Sequence, residues 1–366
     1  MIVKKLALNG FRNYDFETVE LTDATNVISG RNAQGKTNLL EAVYMLSCGR
    51  SFRTRFDREL IGFEFSDAEI LAEIESHGRE QTINIKMKNG QAKKILVNGV
   101  RKTASELPEI LNTVLFCPDD LNLIKDGAAV RRKLLDNAIS QIRPRYAEIL
   151  SEFNKLYEHK TRILKDWREK PTLLDTLDDF SDAMCRASAQ LIRYRAAYSR
   201  RLNEAASPIH SDFSNSLEEL EIQYKTVSTV KDPFKSAKEI YFDICEHQEA
   251  HRQAELDSQQ CLTGAHKDDL EIFINGRAAR SFASQGQTRT AALSVKLAER
   301  EIILSETGEY PILLLDDVLS ELDTKRQEFV LNRIGGGQTL ITCCEDEGIS
   351  QRTGGKVLFV NKGKID

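Results

Sequence analysis

Apolar residues change their spacing twice along this chain, and the two changes divide it into three stretches. From Ile2 to Leu8 apolar and polar positions alternate loosely, and from Phe16 to Leu21 they do so again, with Asn9-Gly10-Phe11-Arg12-Asn13-Tyr14 as the turn between two strands. Asn26-Val27-Ile28-Ser29 is a short apolar, β-branched run that predicts a buried strand, and Asn38 to Leu46 has the pattern of a helix. Between Ala68 and Val97, segments such as Ile70–Ile74 and Thr82–Met87 are punctuated by Asn89-Gly90 and Asn98-Gly99, which mark hairpins. They predict an antiparallel β layer.

Val114-Leu115-Phe116 is one more short strand, and after Cys117-Pro118-Asp119-Asp120-Leu121 the period becomes helical. Tyr146, Ile149, Leu150, Phe153, Leu156, Tyr157 and Leu164 form one stripe of an amphipathic helix over 145–165, and Met184, Ala187, Leu191 and Tyr198 form another over 180–202. A third helix is expected over 236–260, with Leu217 to Thr226 as a candidate strand. These helices are read as folding against each other into an arm. The strand pattern returns at Asp269–Ile274 with the turn Asn275-Gly276, followed by a helical stretch from Thr288 to Ser305 and the apolar run Pro311–Leu315. The expected organisation is therefore an α/β head over 1–118, an inserted helical arm over 119–260, and the second part of the head over 261–366.

Two stretches carry phosphate chemistry. Gly30-Arg31-Asn32-Ala33-Gln34-Gly35-Lys36-Thr37 reads G-x-x-x-x-G-K-T between strand and helix, the P-loop pattern. Glycines let successive amides turn inward around a phosphate, Lys36 reaches the β- and γ-phosphates, and the Thr37 hydroxyl ligates Mg²⁺. Leu313-Leu314-Leu315-Asp316-Asp317 is an apolar strand ending in two carboxylates, with Asp316 to hold Mg²⁺ and Asp317 to face the attacking water. Arg12, in the turn beside the P-loop, is a candidate to bring a guanidinium to the phosphates, with a plain surface arginine as the alternative.

With 366 residues, 41% hydrophobic and 29% charged, the chain can bury a large core. No apolar leader core follows Met1 and no stretch is long enough to span a bilayer, so a cytoplasmic location without a membrane partner is expected. The seven cysteines contain no C-x-x-C pair and read as reduced thiols. His247 and His251 lie one turn apart, but no Glu directly follows the first, so they read as a solvated pair and not as metal ligands. Net charge is −5, yet residues 125–201 hold 17 Lys/Arg against 11 Asp/Glu, leaving −11 for the remainder. Such asymmetry hints at nucleic acid, against the alternative of a solvated helix face. Candidate DNA contacts are Arg50, Arg53 and Arg55 after the P-loop helix, and Arg131 and Arg132 in the basic segment.

Ser284-Gln285-Gly286-Gln287 opens a helix upstream of the paired carboxylates, and Ser320-Glu321-Leu322-Asp323 follows them. In the order P-loop, signature, carboxylates, D-loop, these resemble an ABC-type ATPase, in which Ser284, Gly286 and Gln287 would act on the nucleotide of a second molecule and Ser320 and Asp323 would lie in the D-loop. Phe11-Arg12-Asn13-Tyr14, Gly49-Arg50-Ser51-Phe52-Arg53, Phe116–Leu121, Arg131–Asp136 and Thr263–Asp269 extend the likeness nearly end to end to the RecF family, whose heads are SMC-like. The resemblance implies binding of ATP and Mg²⁺, an ATP-dependent homodimer, and slow DNA-stimulated hydrolysis. It also implies binding to single-stranded, double-stranded or gapped DNA and work with RecR and RecO in loading RecA. Alternatives are the head of another SMC-like repair protein, an ABC transporter ATPase subunit and a small-molecule P-loop kinase. Three departures point to slow turnover: Cys117-Pro118-Asp119 where a Q-loop glutamine is usual, no switch histidine after Thr342, and Asp317 in place of the usual glutamate. Asp119 or Asp120 is a candidate substitute for the glutamine, helix capping being the other reading.

Overall fold

The computed structural model describes residues 1–344 and 348–366, and among these the chain forms two compact units: 1–122 with 292–366, and 123–291. Because the first unit is discontinuous, its parallel sheet is completed by strands far apart in sequence.

In the first unit, strands Ile2–Phe11 and Tyr14–Glu20 pair antiparallel, and Asp67–Ser76, Arg79–Lys88, Lys94–Val97 and Val100–Lys102 extend them into a six-stranded layer. Alternation is clean there: Ala68, Ile70, Ala72 and Ile74 are buried while the residues between them are more exposed, as expected of a sheet with one face on the core. The second sheet is built differently. Thr25–Ser29 lies between Thr339–Cys343 and Lys356–Asn361, and Ile312–Leu315 lies between Thr339–Cys343 and Thr113–Phe116, all in parallel register. Thr25–Ser29, Ile312–Leu315 and Thr339–Cys343 are buried at every position, which is why they lack the apolar/polar alternation of the first sheet. Helix Lys36–Cys48 packs ten of its thirteen residues out of solvent.

The second unit holds helices Ala128–Ile142, Pro144–Asp166, Leu177–Phe213 and Ala237–Ser258, with a three-stranded sheet of Leu220–Lys225, Asp269–Ile274 and Arg277–Ala278. The third of these helices continues through Pro208, eleven residues past the end expected from its stripe. Strand Asp269–Ile274 pairs with Leu220–Lys225 from Asp269↔Lys225 to Ile274↔Leu220, so residues 261–291 cluster with the helices instead of with the head where the pattern had placed them. The unit is pinned by a buried ionic cluster. Arg195 donates to Asp136 Oδ1 and Asp268 Oδ2, both at 2.8 Å, and Tyr146 and Tyr224 donate to the same two carboxylates. Lys160, shielded from water, meets Glu255 at 2.7 Å. His247 is buried, not solvated: its ring stacks on His251 at 3.9 Å and its Nδ1 lies 2.7 Å from the Thr263 hydroxyl.

Candidate nucleotide and signature sites

Parallel register decides where the chemistry meets. Ser29 is paired with Cys343, and Leu315 with Ile341, so Gly30, Asp316 and Thr342 emerge together at the carboxyl ends of adjacent strands, the edge where open α/β sheets bind ligands.

Gly30 has φ 155°, and a Cβ there would sit 2.3 Å from the Val360 carbonyl oxygen, so only glycine lets strand Lys356–Asn361 run this close. Gly35, with φ 122°, is packed tightly against the Asn13 side chain. The turn at 11–14 braces the loop: Tyr14 Oη donates to the Gly35 carbonyl at 3.0 Å and Asn13 Nδ2 to the Gln34 carbonyl at 2.8 Å. Lys362 N–H donates to Gln34 Oε1 from the other side. Arg31, Asn32 and Ala33 are exposed at the loop tip. Lys36 Nζ donates to the carbonyls of Gly30 (2.7 Å) and Arg31 (3.2 Å), holding its ammonium inside the loop it closes, directly at the amide-rich start of the helix.

Thr37 Oγ1 donates to Asp316 Oδ1 at 2.9 Å and Thr342 Oγ1 to the same oxygen at 3.0 Å. Burial pushes the Asp316 carboxyl above its ordinary range; the two hydroxyls pull it down, and the neighbouring Asp317 charge pushes it up again. A buried carboxylate destabilised in this way, beside a threonine hydroxyl, is the hard-oxygen donor set that suits Mg²⁺. Asp317 has φ 49°, and its N–H donates to Thr342 Oγ1 at 2.8 Å; its Oδ1 is buried and has no hydrogen-bond partner among the described residues. A buried acceptor left over beside the metal-type pair fits the orientation of a reacting water. Thr342 escaped the sequence reading, which looked near this position for a histidine; the signal was a hydroxyl at the end of a strand adjacent to Asp316.

Arg12 turns its guanidinium onto the P-loop helix: Nε and Nη2 meet both oxygens of Glu41 at 2.8 and 2.7 Å, and Nη1 meets the Glu59 carbonyl. Arg53 donates to Asn38 Oδ1 at 2.6 Å, while Arg50 and Arg55 are exposed on the same loop. Arg131 leaves the set of DNA candidates. It is buried, its fork is closed on Asp269 at 2.8 and 2.9 Å, and Nη1 donates to the carbonyls of Leu123, Ile124 and Asp126. Arg132 is half-buried and donates to the Asp268 carbonyl. At the Q-loop position Asp120 Oδ2 accepts the Cys117 N–H at 2.9 Å, a local cap, and Asp119 is exposed.

In the second unit, Ser284 caps helix Gln285–Thr307. Its Oγ accepts the Gln287 N–H at 3.2 Å and the Gln287 side chain accepts the Ser284 N–H at 2.9 Å, a reciprocal capping box. Gln287 Nε2 also donates to Glu218, and Gly286 sits in the first turn, half-buried. Ser284 is exposed, and because Oγ accepts within the cap its own proton can be donated outward. The D-loop pair is likewise structured: Ser320 Oγ donates to the Asp317 carbonyl at 2.6 Å, and Asp323 caps helix Thr324–Leu331 through the Arg326 N–H.

Residues 2–362 match the family described as RecF/RecN/SMC N terminal domain. The chain is 40% identical over 370 residues to the DNA replication and repair protein RecF of Clostridium botulinum (strain ATCC 19397 / Type A), covering 100% of this chain and 99% of the relative. The chain belongs to the RecF family. A RecF from Acetivibrio thermocellus is 38% identical over 361 residues, covering 98% of each chain. A solved structure described as the recombination mediator protein RecF-ATPrS in the RecFOR pathway superposes with a TM-score of 0.93 at 34% identity, covering 100% of this chain and 97% of that one. The RecF fold is thus an SMC-like, ABC-type ATPase head interrupted by an arm, as the resemblance had implied. No described helix is long and apolar enough to cross a membrane.

Proposed function

We propose that this RecF-family chain is an ATP-gated DNA-binding protein of replication and recombinational repair, with slow ATP hydrolysis as its timer. The observation that carries the reading is the convergence of Lys36, Thr37, Asp316 and Asp317 at one sheet edge, in a chain that also exposes a capped serine at its signature helix. The Gly30–Thr37 loop cradles the phosphates with its amides and Lys36 neutralises their charge. Thr37 and Asp316 would hold Mg²⁺, which when bound supplies positive charge against the β- and γ-phosphate oxygens. Asp317 orients the attacking water through its buried Oδ1; one methylene shorter than glutamate, it reaches less far, in keeping with slow turnover.

Ser284, Gly286 and Gln287 are read as the lid over a second molecule's γ-phosphate, so that two chains close on two nucleotides. Arg50, Arg53, Arg55 and Arg132 are the remaining DNA candidates, for duplex or gapped DNA. Work with RecR and RecO in loading RecA is the partner reading we adopt, supported by ATP-bound relatives described as recombination mediators of the RecFOR pathway. Steady-state ATPase with and without duplex DNA tests this reading: a rate that rises with DNA supports it, and a rate indifferent to every DNA form favours a transporter-type subunit.

A further inference from the structure

The P-loop helix carries one acidic side chain into its buried face. Glu41 lies one turn beyond Thr37 with no solvent exposure, where an unmatched carboxylate would be strongly destabilising. Its two oxygens are met from two different loops. From the first turn of the chain, Arg12 closes a two-pronged pair on it at 2.7 and 2.8 Å. From the loop after the helix, Ser51 donates to Oε1, and the Arg53 guanidinium lies 3.6 Å from Oε2. Ser51 also shapes that loop, since its Oγ accepts the N–H groups of Arg53 (2.9 Å) and Thr54 (3.0 Å). Phe52 fixes its base edge-on against Tyr44, with ring centroids 5.4 Å apart.

The connections continue into the phosphate loop. Arg53 donates to Asn38, Asn38 to Asn13 Oδ1 at 2.7 Å, and Asn13 to the Gln34 carbonyl. The loop carries three arginines within six residues, of which Arg53 is held by Asn38 and Glu41, and the exposed Phe56 ring follows with Arg58 at 5.2 Å from its centroid, a basic and aromatic surface of the kind that takes a nucleic-acid backbone.

We infer that Glu41 is a positioning residue that couples DNA contact at loop 50–55 to the nucleotide site. This rests on the ATP-gated DNA-binding reading above. A DNA phosphate competes with Glu41 and Asn38 for Arg53. When Arg53 turns outward, Glu41 is left to Arg12 and Ser51, and Asn38 and Asn13 are released to reset the Gln34 carbonyl. Without the carboxylate the loop still carries its arginines, but their engagement no longer reaches the P-loop.

Glu41→Gln keeps the volume and removes the charge that both guanidinium groups share. In the full-length protein with Mg²⁺-ATP, the variant should keep ATP affinity and DNA-free kcat within roughly threefold of the parent, while the DNA-stimulated rise in kcat falls to within about twofold of the DNA-free rate. A Glu41→Gln protein stimulated as strongly as the parent overturns the inference alone. A parent indifferent to DNA overturns the DNA reading and this inference with it. Should Glu41→Gln fail to fold, Ser51→Ala removes the loop's tie to Glu41 from the solvent side. The same loss of stimulation is expected there, at unchanged KM for ATP and unchanged melting temperature, and full stimulation overturns the inference.

Discussion

Asp317 shows how one backbone angle constrains an active-site side chain. At φ 49° the residue is left-handed, a region that Asp and Asn occupy more readily than longer side chains, so an aspartate here fits the backbone better than the glutamate usual in related ATPases. Asp317→Asn therefore keeps the backbone and removes only charge. ATP binding should stay near the parent value while hydrolysis drops about 10²–10⁴-fold, measured by nucleotide titration and phosphate release. Lys36→Ala should lower ATP affinity by a hundredfold or more, about 3 kcal/mol for losing a buried charged ligand. Equal loss of affinity in both variants would contradict the separate roles. At this scale the glycines, Lys36, Thr37 and the paired aspartates were legible because their spacing is local. Thr342 and Glu41 were not, since their importance arises from neighbours on other strands and loops.

Among elements, Ser284 caps helix Gln285–Thr307 and is proposed as a lid residue as well, and a substitution can separate the two roles. Ser284→Asp should preserve the cap, because aspartate accepts from the first-turn amides as well as serine does. Ser284→Arg should lose the cap, at about 1 kcal/mol. Both should bind ATP yet fail to dimerise with it, the first by repelling a phosphate and the second by bulk. Light scattering with Mg²⁺-ATP checks this, and a Ser284→Asp protein that still dimerises would remove the lid role.

The helical unit offers a pH test. His266 rests against Tyr157 at 4.7 Å, shares a hydrogen bond with the Cys261 carbonyl through Nε2, and has a buried Nδ1 without a partner among the described residues; burial lowers its pKa from the ordinary value to about 4. Between that value and about 6.5 the unfolded chain binds the extra proton, so stability is complete above about pH 6.5 and lost as pH falls, by about 3 kcal/mol once the pH is below about 4. His210 and His247, also lowered by burial, act in the same direction. Urea midpoints measured from pH 7 to 5 should fall less steeply in His266→Gln. The stripes of these helices were readable from their period. The assignment of residues 261–291 was not, because the pairing of Asp269–Ile274 with Leu220–Lys225 is a long-range choice that local alternation does not encode.

For the whole molecule, the basic surplus over residues 125–201 overstated the charge available to DNA. Arg131, Lys160 and Arg195 are buried against Asp269, Glu255 and Asp268, acids that lie later in the chain. Arg131→Ala should consequently destabilise the protein by about 3–5 kcal/mol, seen as a lower melting temperature, instead of weakening DNA binding selectively. Binding through the exposed arginines should weaken steeply with salt and show little sequence preference; a salt-independent affinity would count against a basic DNA surface. The close approach of Val360 to Gly30 has a consequence for how the protein is made. The strand that leads into the P-loop finds both its neighbours, 339–343 and 356–361, some three hundred residues later. On a ribosome adding about 10 residues per second, that strand waits about half a minute as an unpaired apolar segment, a natural client for a chaperone. Nascent chains stalled before residue 355 should therefore fail to retain ATP, however well their helical segment has already folded.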